Sequence, residues 1–220
     1  MRLRDHLGVS ARRQEQASHA MQVVLVGIFF VGLYDLNGGV VVNAGVALGI
    51  TYLPALLERD YQIPMDAGLT LWITSAVFLH ALGTVGLPGM EDSFYQSVWW
   101  WDHLTHALSA SVVAAVGYTT ARAIDEHTDA IHLPGRFMFV FILLFVLAFG
   151  VFWEVIEFAV SLAAAALGAD SVLTQYGLDD TLLDLVFNTL GGVVVALWGT
   201  AHLSDVVGAV TDRLAERRPE

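Results

Sequence analysis

The sequence contains no cysteine and no lysine, and few of its residues are charged. Without cysteine the chain has no disulfide, no thiolate-held iron–sulfur cluster and no cysteine nucleophile. Charged residues make up 15% of the 220 positions, against about a quarter in an ordinary soluble domain. The net charge of −12 argues against a nucleic-acid partner. The acidic, lysine-free composition is of the halophilic kind and suits a protein that works in high salt.

Long apolar runs fill most of the chain, and 56% of the residues are hydrophobic. A transmembrane helix needs roughly 20 predominantly apolar residues. Six segments approach that length, separated by glycine, proline and charged residues. We therefore predict an all-α polytopic membrane bundle of about six transmembrane helices. The predicted spans run from about Ala20 to Tyr34, Gly39 to Leu57, Ala67 to Leu87, Asp102 to Ile124, Phe137 to Leu167 and Thr181 to Leu203.

The arginines predict how these spans are oriented. With six spans, every arginine falls on one side of the membrane, and the three loops on the other side have none. Positive residues favour the cytoplasmic side, so both termini are predicted to be cytoplasmic and the protein is expected in the plasma membrane as a multi-pass protein. Arg12-Arg13 precedes an apolar run, but no small-x-small cleavage site closes it, so we interpret the first helix as retained. The predicted divisions are an N-terminal arm (1–19), a transmembrane domain (20–205) and a C-terminal tail (206–220).

Ionisable and amide side chains within the spans gather at one depth. Such groups are costly in a membrane and usually mark function. At 1.5 Å of rise per residue, they lie about 21 to 32 Å from the predicted cytoplasmic boundary, in the outer part of the membrane. Four helices contribute to this layer, and residues three or four apart share a helix face, so the polar stripes are expected to converge on one pocket. The candidate metal ligands are His80, Asp102, His106, Glu154, Asp180, Asp184 and Asn188.

Close carboxylates without a basic neighbour need protons, histidinium or a bound cation. Carboxylates together with imidazoles suit zinc, manganese or iron, whereas carboxylates alone suit magnesium or calcium. A bound metal would activate water or polarise a phosphoryl or carbonyl oxygen; without metal, a histidine and a carboxylate can act as a general acid–base pair. The candidate catalytic residues are Asp102, His106, Glu154, Glu157 and Asp184.

Some neighbouring groups receive a structural interpretation. His103 falls off the face shared by Asp102 and His106, so we interpret it as interfacial. Asp179 fits a helix N-cap or a solvated loop residue. His80 is as consistent with a hydrogen-bonded core histidine as with a ligand.

The motifs resemble those of a known family. Trp101-Asp102-His103-Leu104-Thr105-His106, Trp153-Glu154-x-x-Glu157-Phe158 and the stretch from Tyr176 to Gly191 are together similar to YjdF-like inner-membrane proteins. Asp102-x-x-x-His106, the glutamate within the fifth span and Asp184-x-x-x-Asn188-x-x-Gly191 more distantly resemble the VanZ-like membrane proteins linked to glycopeptide resistance. The resemblance covers about residues 65 to 205 and implies a six-helix or similar membrane core with an acidic site. It implies no particular reaction.

Three functions remain open from the sequence. The first is a metal-dependent hydrolase or transferase acting on a lipid or lipid-linked substrate, with membrane lipid as the partner. The second is a small cation or proton transporter, which should carry polar residues into the inner half of the membrane. The third is a non-catalytic membrane factor whose polar cluster joins helices; it predicts a closed site in which every carboxylate is hydrogen-bonded.

Overall fold

The structure is a computed structural model that describes residues 9–86, 92–173 and 175–216, apart from the side chains of residues 200 and 201. All regular secondary structure in these ranges is helical. The helices are α1 (Ala11–Tyr34), α2 (Gly38–Thr51), α3 (Leu53–Tyr61), α4 (Ala67–Gly83), α5 (Phe94–Ser97), α6 (Trp101–His127), α7 (Gly135–Leu167), α8 (Leu178–Trp198) and α9 (Thr200–Glu216).

The predicted all-α membrane bundle is confirmed. Within the described residues, five segments are long and apolar enough to cross a membrane: α1, the α2–α3 segment Gly38–Tyr61, α6, α7 and α8. The third predicted span corresponds to α4, a shorter apolar helix of 17 residues. The first span is longer than predicted, because the helix begins at Ala11 behind the N-cap Ser10. The sidedness and the division at residues 19 and 205 stay predictions.

Some features used in the sequence argument lie outside the described residues. These are Arg2, Arg4, Arg217, Arg218 and the predicted end of the third span at Leu87.

Helices α6 and α8 form the centre of the bundle and pack on each other more extensively than any other pair. Glycine makes this approach possible, because a Cβ at Gly191 would overlap the carbonyl oxygen of Ala107. Helix α7 packs on α8 and α6, and Gly117 of α6 lies against the ring of Phe145. The shared core includes Ala114, Ile142 and Val146, so the part of the bundle beneath the polar layer is mostly apolar, with Ser111 and Thr119 of α6 as buried hydroxyl groups.

Helices α1, α2 and α4 pack into a second group around Leu25, Ala47 and Ala81. Helix α4 also contacts α6 and thereby joins the two groups. Trp72 strengthens this junction by donating a hydrogen bond to Ser111 at 2.9 Å. Two helices were not predicted: α5, which follows α4 at the polar end, and α9, which packs on α6 through Leu203 and Val207.

Candidate functional site

Asp102, His106 and Asp184 meet at one end of the bundle. Asp102 and His106 lie on successive turns of α6, at its start, and Asp184 lies in the second turn of α8. Because α6 and α8 pack closely, the ligand atoms of the three side chains all lie within 4.8 Å of one another. Asp184 is 1% exposed. These residues belong to the predicted set, and the structure brings them together.

The distances within this trio are too long for hydrogen bonds. His106 Nε2 lies 3.5 Å from Asp102 Oδ1 and 3.8 Å from Asp184 Oδ2, whereas good hydrogen bonds of this kind are about 2.7–3.2 Å long. Asp184 Oδ1 is buried and has no hydrogen-bond partner among the described residues. A buried carboxyl oxygen left in this state is costly, so the cluster can accept a hydrogen-bond donor, a proton or a cation.

His103 also faces this cluster, although the sequence argument placed it at the interface. Its Nδ1 lies 3.6 Å from Asp184 Oδ1 and is likewise buried without a hydrogen-bond partner in the described residues. The ring is held in place by parallel stacking on Phe187, with centroids 4.6 Å apart. The signal was present in the sequence, because His103 and His106 are three residues apart and therefore share a helix face.

The two glutamates of α7 point in different directions. Glu157 lines the cavity that holds Asp102 and His106, and its Oε1 accepts a 2.9 Å hydrogen bond from Trp153. Glu154 Oε2 accepts a 2.8 Å bond from Thr181 of α8, and Glu154 Oε1 is buried without a partner. The expected shared face is therefore split, and Glu154 borders the site on the side of α8.

His80 lines the same cavity, but both of its ring nitrogens are engaged. Nε2 lies 3.2 Å from Asn43 Oδ1, and Nδ1 lies 2.8 Å from the hydroxyl of Tyr95. The Asn43 amide nitrogen donates to the carbonyls of Gly39 and Val172, so Asn43 Oδ1 acts as an acceptor and His80 Nε2 carries the proton. Metal binding by His80 would have to break one of these bonds, which favours its core role.

Asp180 and Asn188, the other two candidates, lie at the edges of the cluster. Asp180 Oδ2 accepts a 3.3 Å hydrogen bond from the backbone N–H of Tyr176, so it helps to fix the start of α8. Asn188 is buried beside His106, with its amide against Gly150 of α7. A Cβ at Gly150 would lie 2.8 Å from that amide nitrogen, so the glycine makes room for it.

A cavity of about 240 Å³ opens beside the trio. Its walls come from the ends of α4, α6 and α7, from α2 and from the loops that cross this end of the bundle. No arginine or lysine is among the described residues that line it. The polar lining includes Asn43, His80, Tyr95, Asp102, His106, Glu157 and Tyr176.

Two phenols add hydrogen-bond donors to this cavity. Burial raises the pKa of both Tyr95 and Tyr176, and the carboxylates of Asp102 and Glu157 raise each pKa further. Both hydroxyl groups therefore stay protonated in neutral solution. Tyr95 and Asn43 were missed in the sequence because each is neutral and is brought to the site by the packing of distant segments.

The sequence of the chain matches a known protein family and a relative from another organism. Residues 17–205 match the family described as "Predicted membrane protein (DUF2238)". An uncharacterized protein of Thermotoga maritima is 32% identical over 149 residues, which cover 66% of this chain and 68% of the relative. No solved structure matches. These matches give no support to the VanZ-like resemblance.

Proposed function

We propose that this chain, which belongs to the DUF2238 family of predicted membrane proteins, binds a divalent metal ion through Asp102, His106 and Asp184. The spacing of the ligand atoms carries the proposal. Two ligands bound about 2.1 Å from a tetrahedral ion lie about 3.4 Å apart. Two of the three pairs in this cluster are 3.5 and 3.8 Å apart, and all three lie within 4.8 Å. These separations suit co-ligands better than hydrogen-bond partners.

His103 provides a fourth candidate ligand. Its unpartnered Nδ1 lies 3.6 Å from Asp184 Oδ1, whereas His106 lies beside Asp184 Oδ2. His103 would therefore join the same ion only if Asp184 bound it through both oxygens. Mixed imidazole and carboxylate donors favour zinc, manganese or iron over magnesium or calcium. The chemistry of the donors thus narrows the proposed cofactor to zinc, manganese or iron.

The neighbouring cavity suits a metal-assisted hydrolase or transferase. An ion that keeps an open position toward the cavity would lower the pKa of a bound water or polarise a phosphoryl or carbonyl oxygen. Glu157 is within the same cavity and would serve as the general base, and the phenols of Tyr95 and Tyr176 would donate hydrogen bonds to developing negative charge. A membrane lipid or a lipid-linked molecule is the proposed substrate.

Two structural observations weigh against the other functions. A transporter needs a polar route through the membrane. The core beneath the site is mostly apolar, with Ala114, Ile142 and Val146, and its buried polar side chains are the hydroxyl groups of Thr74, Ser111 and Thr119 rather than ionisable groups. A purely structural cluster should leave no orphaned group, yet Asp184 Oδ1 and His103 Nδ1 have no hydrogen-bond partner among the described residues.

The YjdF-like identity and the plasma membrane location remain part of this proposal. The DUF2238 family is the YjdF family, which supports the resemblance. The arginine distribution supports a plasma-membrane protein with its site on the outer side.

Equilibrium dialysis of the purified protein against zinc or manganese, followed by metal analysis, tests the proposal. We expect about one ion per chain, since the ligands form a single cluster. Asp184→Asn and His106→Ala should each lose the ion. His132→Ala, which removes an exposed imidazole far from the site in sequence, should keep it. Equal metal content in all four proteins, or none in the wild type, would contradict the proposal.

A further inference from the structure

His103 and Asp184 place two unpartnered polar atoms opposite each other between α6 and α8. His103 Nδ1 lies 3.6 Å from Asp184 Oδ1, and neither atom has a hydrogen-bond partner among the described residues. Both atoms are buried, so bulk water does not reach them. Since buried polar atoms are nearly always paired, the contact between these two atoms calls for a physical explanation.

The two oxygens of Asp184 lie beside different neighbours. Oδ2 is 3.8 Å from His106 Nε2, within the proposed set of metal ligands, whereas Oδ1 is the oxygen beside His103. A carboxylate that binds an ion through one oxygen can accept a hydrogen bond on the other, and carboxylates that bind metals are usually hydrogen-bonded. His103 therefore lies where a donor to Asp184 would be placed.

The contact also determines which nitrogen of His103 carries the proton. A neutral imidazole has one N–H donor and one acceptor nitrogen, whereas an ionised carboxylate has acceptors only. Two acceptors facing each other would repel, so the proton of a neutral His103 belongs on Nδ1. Shortening the 3.6 Å separation by about 0.6 Å would give a good N–H···O hydrogen bond.

Packing between α6 and α8 holds the two side chains in this relation. The His103 ring stacks on Phe187 with centroids 4.6 Å apart and planes 2° from parallel. Phe187 and Asp184 are three residues apart on α8 and therefore share a helix face. About one turn further along both helices, the backbone of Gly191 lies against the carbonyl oxygen of Ala107. Donor and acceptor are thus positioned by two helices in close contact.

His103 is separate from the cavity in which a substrate would bind. Asp102 and His106 line that cavity, whereas neither His103 nor Asp184 is among its lining residues. An effect of His103 on the site would therefore be exerted through Asp184. An Asp184 that binds through one oxygen also leaves a further coordination position for water or substrate, as a catalytic metal requires.

We infer that His103 is a positioning residue: it donates a hydrogen bond from Nδ1 to Asp184 Oδ1 and so holds Asp184 Oδ2 toward the ion. The inference rests on the proposed metal site and places His103 outside the ligand set. Removing the hydrogen-bond partner of a metal ligand typically costs about 10–100-fold in metal affinity. The same loss is expected here when the Nδ1 donor is removed.

Two substitutions of His103 separate the hydrogen bond from the stacking. His103→Phe keeps a ring for Phe187 but has no donor, so the Kd for zinc should rise about 10–100-fold. His103→Asn lacks the ring but carries an N–H donor on the same Cγ, so it should keep most of the affinity. Competition with a chromophoric zinc chelator measures Kd on detergent-purified protein. If His103→Phe does not fold, His103→Leu, which also lacks the donor, takes its place.

His106→Asn is the matched comparison, because His106 lies one turn further along α6 and belongs to the proposed ligands. An amide is a poor ligand for zinc, so His106→Asn should lose the ion while His103→Asn keeps it. Cobalt in place of zinc provides a spectroscopic measurement, since its visible absorption depends on the number and type of its ligands. The wild type and His103→Asn should give the same cobalt spectrum.

Three results would overturn the inference. Equal zinc affinity of the wild type and His103→Phe would show that the donor has no effect. Loss of the ion from His103→Asn, as from His106→Asn, would make His103 a ligand. Two ions per wild-type chain would place an ion, instead of a hydrogen bond, between His103 and Asp184.

The same measurements keep this inference and the proposed function distinct. If the wild type and His103→Phe bind zinc equally well, the positioning role alone fails and the metal site stands. If the wild type binds no zinc, the metal site fails, and the role of His103 fails with it.

Discussion

Removing the charge of Asp184 should uncouple the stability of the protein from metal. In the metal-free state the carboxyl group of Asp184 is 1% exposed, with one oxygen lacking a hydrogen-bond partner among the described residues. A bound cation compensates that burial, whereas Asp184→Asn makes compensation unnecessary. The variant should therefore melt at or above the temperature of metal-free wild type and should no longer respond to metal.

The size of the response follows from mass action. Metal at 100 times its Kd stabilises the native state by about 2.7 kcal/mol. For a chain of this size each kcal/mol shifts Tm by about 2–4 °C, so zinc should raise the wild-type Tm by about 5–10 °C. Asp184→Asn should show no shift within error.

Thermal unfolding of detergent-purified protein, followed by tryptophan fluorescence with zinc or with chelator, measures both quantities. The matched control is Asp179→Asn, which removes an exposed carboxylate from the first turn of the same helix and should keep the zinc-dependent shift. The reasoning is refuted if chelator leaves the wild-type Tm unchanged, or if Asp184→Asn keeps the shift and Asp179→Asn loses it.

Three further predictions follow from the packing, the ligands and the topology. Gly191→Ala should destabilise the protein by about 1–3 kcal/mol in thermal unfolding, because the added methyl group overlaps the Ala107 carbonyl. The control Gly49→Ala should leave the stability unchanged, because the space around its Cβ is open. Zinc affinity measured by titration calorimetry should fall as the pH is lowered into the acid range, because imidazole must be unprotonated to bind metal. A pH-independent affinity would exclude a histidine ligand. A cysteine at Asp92 should react with an impermeant thiol reagent in intact cells and one at Asp129 should not, as the arginine distribution requires; the reverse pattern would invert the topology.

The sequence predicted the fold class well, because the fold class depends on local patterns. Apolar runs define the helices, and the depth of a polar residue follows from its distance along its own helix. Asp102 and His106 could be paired because they are four residues apart on α6. Their contact with Asp184 required only that the polar stripes of two helices turn inward.

The remaining features depend on rotation about the helix axes and on contacts between distant segments. Glu154 and Glu157 were expected on one face, but Glu157 turns to the cavity and Glu154 to Thr181 of α8, a difference that their spacing alone does not predict. Asn43 contacts Val172 across 129 residues, and no periodicity encodes that pairing. As a polar residue in the middle of an apolar helix, Asn43 nevertheless carried a recognisable signal.

The apolar core beneath the site also has an electrical consequence. A low-dielectric layer of side chains such as Ile142 and Val146 separates the metal-ligand cluster from the far end of the bundle, so most of the transmembrane voltage falls across that layer. Moving one elementary charge through the whole voltage involves about 2.3 kcal/mol per 100 mV. An ion that enters from the end of the bundle that carries the site crosses only a small part of this drop. The occupancy of the site should therefore follow the ion concentration on that side of the membrane and remain nearly independent of the membrane potential.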